Sequence, residues 1–280
     1  MISFVIPSLN QGSFIRECLD SIADQNMVAG SYEVIVIDGG SSDCTIEILK
    51  NHPVVTEWTS QPDLGHWDAV NKGIQRSHGE WIAWINSDDF YFSGAFPKVI
   101  KFIDENPDAD IIYCDAEEVD ENSDKIGNYL VESWDYEKLI DRCIICQPAT
   151  IIRKSVFDIH GGLSAECRVA IDLEYWLRVG KKVNFYKAPF KLAASRLWTG
   201  TKSNNEQLAM QEDALFFGNL YGGRWSKRRI GAVAEARLLK VFPYFSVEDR
   251  GYKRLIFYFI RGLFYIYVRT QCRFGLFRLH

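Results

Sequence analysis

The chain has 280 residues, 47% hydrophobic and 25% charged, the composition of an ordinary globular protein long enough for one large domain or one domain with an appendage. Its seven cysteines are odd in number and scattered, and "MISFVIPSLN" lacks a basic leader with an apolar core and cleavage site, so the expectation is reduced thiols in a cytoplasm rather than a secreted disulfide scaffold. The net charge of −5 hides a split: from residue 223 onward thirteen basic residues face three acidic ones, a net of +10, which leaves −15 on residues 1–222 and argues against nucleic acid as a partner.

Taken in order, the N-terminal half alternates β-rich runs with helical patterns, the signature of βαβ units and a mostly parallel sheet. "ISFVIP" (2–7) predicts a strand, followed by a helix over 13–25 with Ser13 as N-cap. Strands are predicted at 32–38, 54–60 and 79–86, separated by helices at 44–51 and 66–77. A helix over 93–107 and a strand over 109–120 follow, and the stretch 121–150 shows no clear pattern. Helices are expected at 155–162, 170–180 and 205–221, with two antiparallel strands, 182–189 and 190–197, between them.

Ligands of an open α/β sheet sit outside the carboxyl ends of the strands. Four polar clusters fall there: "PSLNQG" after the first strand, "DGGSSD" after the second, "QPDLGHWD" after the third and "NSDD" after the fourth. The adjacent carboxylates Asp88 and Asp89 suit a hard divalent cation beside a diphosphate; alone, the same three letters "SDD" also describe a polar turn. Cys143 and Cys146 have no second pair or histidine at zinc spacing and read as buried thiols. The basic tail interleaves aromatic residues with arginines, which suits a helix lying on an anionic membrane surface through residues 250–280; its charges are too frequent for a spanning segment. Packed terminal helices and a homodimer contact are the competing uses of the same residues.

Five ordered motifs, "IPSLNQGSFIRECLDSI", "VIDGGSSDCTIEIL", "QPDLGHWDAVNKGI", "GEWIAWINSDDFY" and "AIDLEYWLRV", resemble those of family 2 glycosyltransferases, enzymes of the GT-A fold. The resemblance covers about residues 1–200 and implies an α/β GT-A domain over 1–222, with 223–280 as a basic, aromatic, helical extension. It implies inverting transfer of a sugar from a UDP- or GDP-sugar, aided by Mn²⁺ or Mg²⁺, to a saccharide acceptor, expected to be polyprenyl-linked, in surface-polysaccharide synthesis at the inner face of the cytoplasmic membrane. Carried over position by position, Pro7, Ser8 and Asn10 contact the nucleotide, and Asp38 with Gly39 lies near base or ribose. Asp63, Gly65, Asp68, Asn71 and Lys72 border the donor, with solvated lysine as the alternative for Lys72. Asp88 and Asp89 hold the metal, although Asn86 stands where the usual motif has a first Asp, and Gly39 stands where a second Asp is common. Asp172 takes the place of the catalytic base, with Glu166 and Glu174 as rivals. Gln147 is expected in the acceptor pocket, and Trp198 with "TGTKSNN" in a closing loop. An inactive saccharide-binding protein and a sugar-phosphate nucleotidyltransferase are the alternatives; the latter expects a basic glycine-rich loop after the first strand, which "PSLNQGSF" is not.

Overall fold

A computed structural model describes residues 1–201, 205–242, 252–274 and 276–277, without the side chains of 252–256. The chain forms two compact units: one comprises 1–134, 144–165 and 182–198, the other 135–143, 166–181 and 199–280. The break expected after residue 222 falls within the second unit, at the turn between two of its helices.

The first unit is built on a nine-stranded sheet in the order β3-β2-β1-β4-β8-β6-β9-β5, with β7 paired to β6. β1 (Ile2–Ser8), β2 (Tyr32–Asp38), β3 (Glu57–Ser60) and β4 (Trp81–Trp84) run parallel. Helices α1 (Ile15–Ala23), α2 (Thr45–Asn51) and α3 (His66–Arg76) connect them. β1 is buried at every position, which explains its unbroken apolar run: a parallel strand covered on both faces has no solvent side to alternate with. Phe4 and Ile6 join a core with Ile15, Cys18, Leu19 and Ile22 of α1 and with Phe96 and Val99 of α4 (Ala95–Glu105), while Ile35 and Ile37 meet Ala69 of α3. Ser13 does not cap α1; Phe14 holds the N-cap position, with no side-chain cap.

Beyond β4 the sheet becomes mixed. β5 (Phe90–Tyr91) pairs antiparallel to β9, and β6 (Ile111–Val119) forms a hairpin with β7 (Lys125–Asn128). The featureless stretch before residue 150 hides the 3₁₀ turn Gln147–Ala149, which leads into β8 (Thr150–Arg153), a four-residue strand inserted antiparallel between β4 and β6; α6 (Lys154–His160) follows. The two strands expected at 182–197 are one, β9 (Phe185–Arg196), running parallel to β6. Pro189, which reads as a break, falls where the pairing jumps from Ala188 to Lys191: a register shift tolerates a residue that cannot donate to the ladder.

The second unit is helical: α5 (Tyr136–Asp141), α7 (Ile171–Val179), α8 (Gln207–Gly222), α9 (Lys227–Val241) and α10 (Tyr252–Arg273). α8, α9 and α10 share a core of Leu215, Ile230, Val233, Ala234, Val268 and Cys272. Arg229 is buried and donates to the Leu139 and Ile140 carbonyls at the end of α5; burial pulls its pKa down to about 10, which leaves it charged at neutral pH. Among the described residues no helix is long and apolar enough to cross a membrane.

Asp213, fully buried on α8, organises the turn before α7. Its Oδ2 accepts the backbone N–H groups of Arg168 (3.0 Å), Val169 (2.8 Å) and Ala170 (3.4 Å). Asp213→Ala leaves those donors with a water-poor cavity in place of a carboxylate, so we expect a loss of about 3 kcal/mol in unfolding free energy, read by urea titration of the full chain. A loss below about 1 kcal/mol would show that the turn holds itself.

Candidate active site

The polar clusters at the ends of β1 to β4 do assemble in the first unit, and their side chains divide into those already engaged and those left open. Asn10 sits in the left-handed region at φ 54°, a conformation asparagine tolerates, and its Oδ1 accepts the Ser42 N–H at 2.9 Å, tying the loop after β1 to the loop after β2. Pro7 is buried in β1. Ser8 Oγ and Gln11 Oε1 are buried with no hydrogen-bond partner among the described residues, two open oxygens at one strand end.

Asp38 is buried and occupied. Its Oδ2 accepts from Gly40 N (3.0 Å), Ser41 N (2.8 Å) and Ser60 Oγ (2.7 Å), and its Oδ1 accepts from Ser41 Oγ, so the carboxylate scaffolds its own loop. The departure at Gly39 has a structural counterpart: a Cβ there would stand 2.7 Å from Asp63 Oδ2, so the space a side chain would take holds the Asp63 carboxylate. Asp63 Oδ1 accepts from Gly65 N (2.9 Å), and Gly65, at φ 122°, starts α3 in a backbone conformation that L residues avoid.

The α3 residues are similarly divided. Asp68 accepts from Leu64 N (3.0 Å) and Lys72 Nζ (2.6 Å); the lysine bond, first among the causes, holds its carboxyl below the usual range. Lys72 remains partly exposed and lines a cavity of about 160 Å³ with Asp38, Thr59, Gln61 and Gln75. Asn71 spends both ends of its amide on Leu163, donating to its O (2.9 Å) and accepting from its N (2.8 Å), so its part is to hold the loop after α6. His66 packs edge-on against Trp84, ring centroids 5.8 Å apart.

At the end of β4 the chain turns at Asn86, whose carbonyl accepts the Asp89 N–H at 3.1 Å. Asp89 is buried; its Oδ1 accepts from the backbone N of Arg196 (2.8 Å) and its Oδ2 from Asn86 Nδ2 (3.2 Å). Asp88 is half-buried, and its Oδ2 accepts from Trp198 Nε1 at 2.9 Å. Burial raises both carboxyl pKa values, that of Asp89 well above the ordinary range with the Asp88 charge as the second cause.

The nearby Arg196 charge lowers both, but by less than burial raises them. The Arg196 guanidinium, itself buried, donates to the Asp88, Asp120 and Glu121 carbonyls, to Ser123 Oγ and to Glu17 Oε2 (2.6 Å), and to neither carboxylate of the pair, which meets Arg196 only through its backbone N–H to Asp89. Gln147 supports the same corner by donating to the Trp84 carbonyl (2.6 Å) and accepting from Asn86 Nδ2 (3.2 Å). This leaves Asn86 Oδ1 buried with no partner among the described residues. Two carboxylates and an orphaned amide oxygen form an all-oxygen donor set that fits Mg²⁺ or Mn²⁺. Among the described residues no group of three or more His, Cys, Asp or Glu converges as a complete metal site.

The matching family model settles the class of the protein: residues 3–158 match glycosyl transferase family 2. The chain belongs to that family. A PGL/p-HBAD biosynthesis glycosyltransferase of Mycobacterium tuberculosis is 30% identical over 186 residues, 64% of this chain and 69% of the relative. Chondroitin synthase of Escherichia coli is 25% identical over 221 residues, 77% of this chain and 32% of that one. Among solved structures, S. aureus TarS in complex with UDP-GlcNAc covers 98% of this chain and 92% of its own at TM-score 0.65 and 16% identity. The mannosyltransferase PcManGT of Pyrobaculum calidifontis, with GDP-Man and Mn²⁺, covers 96% and 86% at TM-score 0.62 and 13% identity. The fold of this family 2 glycosyltransferase is GT-A, as the motifs implied.

In the second unit, Asp172 lies in the first turn of α7, half-buried, with no side chain bonded to it among the described residues, and burial raises its pKa. Its rival Glu174 is committed elsewhere: it is buried, accepts from Arg178 Nε (2.8 Å) and from Tyr221 Oη (2.9 Å). Glu166 is exposed. Arg178 anchors Glu174 and not Asp172, because positions four apart share a helix face and positions six apart do not. Of the expected closing loop, Lys202, Ser203 and Asn204 lie outside the described residues, while Trp198 is a hydrogen-bond donor to Asp88. Arg196 and the bond from Trp198 to Asp88 are what sequence reasoning missed; the one charged residue in the apolar run "KLAASRLW" after Lys191 was the available signal for the first.

Proposed function

We propose that this glycosyltransferase moves a sugar from a nucleoside-diphosphate donor, with inversion at the anomeric carbon, to a hydroxyl of a saccharide acceptor. The observation that carries the reading is the Asp88–Asp89 pair, buried at the end of β4 beside a cation that is spent on other partners. A bound divalent cation would neutralise that pair and take up charge on the departing diphosphate. Asp88, Asp89 and Asn86 Oδ1 are the groups offered to it. Ser8, Gln11 and Asn10 present the β1 loop to the nucleotide, and Asp38, Gly39, Asp63 and Lys72 border the base and ribose, with Asp63 supplying the carboxylate that position 39 lacks. Gly65, Asp68 and Asn71 shape the start of α3. Asp172 takes the proton of the acceptor hydroxyl as its oxygen attacks C1, a role suited to an unengaged carboxylate whose pKa is raised toward the working pH. The relatives named for PGL/p-HBAD biosynthesis and chondroitin synthesis support a surface-glycan acceptor, and we place a lipid-linked acceptor at the cytoplasmic face of the membrane.

The reading is tested by calorimetric titration of the full chain with UDP and with GDP, each with Mn²⁺ and with EDTA. One nucleotide is expected to bind at least about tenfold more tightly with the cation than with the chelator, a gain of about 1.4 kcal/mol. Absence of binding by both nucleotides under both conditions would leave a saccharide-binding protein of the same fold.

A further inference from the structure

The C-terminal helix α10 shows two unlike faces. Phe257, Val268 and Cys272 are buried against the helices beside it, whereas Phe259, Leu263, Ile266, Tyr267 and Phe274 point away, between 52% (Leu263) and 69% (Phe259) exposed. Spaced at 259, 263, 266/267 and 274, they form one apolar stripe interrupted only by Thr270, about 22 Å long at 1.5 Å per residue. A soluble helix carries its polar residues on that side. Here the exposed arginines 269 and 273 lie along one flank of the stripe, and α10 contains no acidic residue.

On the same flank a cavity of about 420 Å³ opens between α9 and α10, lined by Lys227, Arg228 and Gly231 of the first and Tyr258, Arg261 and Tyr265 of the second. Lys227 and Arg228 are exposed in the first turn of α9, where the helix dipole adds to their charge, and no carboxylate among the described residues pairs with either. Among the described residues Arg261 has one counter-ion, Glu235 at 2.8 Å. Gly231 contributes no side chain to the cavity wall, and Tyr258 and Tyr265 line it beside the cations. Three cations around a void of this size suit a phosphate monoester or diester.

We propose that the second unit docks on an anionic phospholipid bilayer, with α10 in the plane of the interface, its apolar stripe among the upper acyl segments and a lipid phosphate in the groove between α9 and α10. The charge pattern selects this occupant. A second copy applied to the same stripe would bring Arg269 and Arg273 of each chain against an acid-free helix, whereas a leaflet of anionic lipid offers apolar depth and negative headgroups together. An interfacial helix buries its apolar face and holds its cations at headgroup level, the order in which stripe, arginines and groove follow one another around α10. This docking extends the membrane placement given above, and its test involves no sugar transfer, so the two stand or fall separately.

The experiment is co-sedimentation of the full chain with phosphatidylcholine vesicles, with and without phosphatidylglycerol, at low salt. The wild-type chain is expected to pellet with the anionic vesicles. The double variant Lys227→Ala, Arg228→Ala loses about thirtyfold in affinity for them, two charges at the surface each being worth close to a factor of five, and keeps its weak binding to neutral vesicles. The double variant Phe259→Ser, Ile266→Ser loses at least about tenfold on both compositions. Because all four side chains are exposed, the thermal midpoints stay at the wild-type value. Absence of wild-type binding to anionic vesicles would overturn the proposal, as would an unchanged affinity in the lysine–arginine variant. A dimer in vesicle-free sedimentation that the Phe259, Ile266 variant dissolves would assign the stripe to a second copy instead.

Discussion

Replacing Asp89 with alanine is expected to lower the rate of sugar transfer by about a thousandfold or more, equivalent to roughly 4 kcal/mol of transition-state stabilisation. Two effects combine. The variant removes one of the two carboxylates offered to the cation, and it releases the Arg196 N–H and the Asn86 amide, both of which Asp89 holds in place. Asn86 then keeps only its bond to Gln147 Oε1, and its orphaned Oδ1 is held less firmly. Asp89→Asn keeps an acceptor for Arg196 but opposes one amide N–H to another at Asn86, so it should lose about 1–3 kcal/mol of stability as well as activity. The same variants separate donor binding from folding: Mn²⁺-dependent nucleotide affinity falls with Asp89→Ala, and a calorimetric titration reads that without any acceptor. Transfer within about tenfold of wild type would remove the carboxylate pair from the reaction.

Asp172→Asn is expected to lower kcat by about 10² to 10⁴ while leaving nucleotide affinity unchanged, the pattern of a lost general base. Asparagine has the shape of aspartate and no side chain depends on Asp172 for a partner among the described residues, so the fold is unaffected. The pH profile carries the sign. Burial stabilises the protonated carboxyl and raises its pKa, and a base acts only when deprotonated, so kcat/KM falls as pH drops through a value above the usual carboxylate range. That acid limb should vanish in the variant's residual activity. Glu174→Gln is the contrasting case: it removes the charge of a buried pair with Arg178 and turns an amide N–H toward Arg178 Nη2, so its effect falls on stability, by about 3 kcal/mol, ahead of kcat. A kcat loss for Glu174→Gln larger than that for Asp172→Asn, in protein of unchanged stability, would reverse the assignment.

Much of the frame was legible because it depends on local pattern. The apolar runs of β1 and β2 and the period of α3 and α4 are properties of neighbouring residues, and polar residues that close a parallel strand lie at its carboxyl end whatever the rest of the chain does. The elements that escaped are those whose partners are distant. β8 is four residues long and is a strand because β4 and β6 leave a slot between them. β9 continues through Pro189 because β6 accommodates the shift.

The candidate site divides along the same line. By itself the sequence determined that two carboxylates end β4, that a carboxylate opens α7 and that the last helix is basic, aromatic and free of acid. Only the tertiary structure decided which of these groups are already engaged: Asp38, Asn71 and Glu174 are, while Asp172 and Asn86 Oδ1 remain open. It also placed Arg196 and Trp198 on the Asp88–Asp89 pair from more than a hundred residues away. The physical reason is that burial and hydrogen-bond satisfaction are settled between segments brought together by the core, whereas periodicity and charge are settled within one.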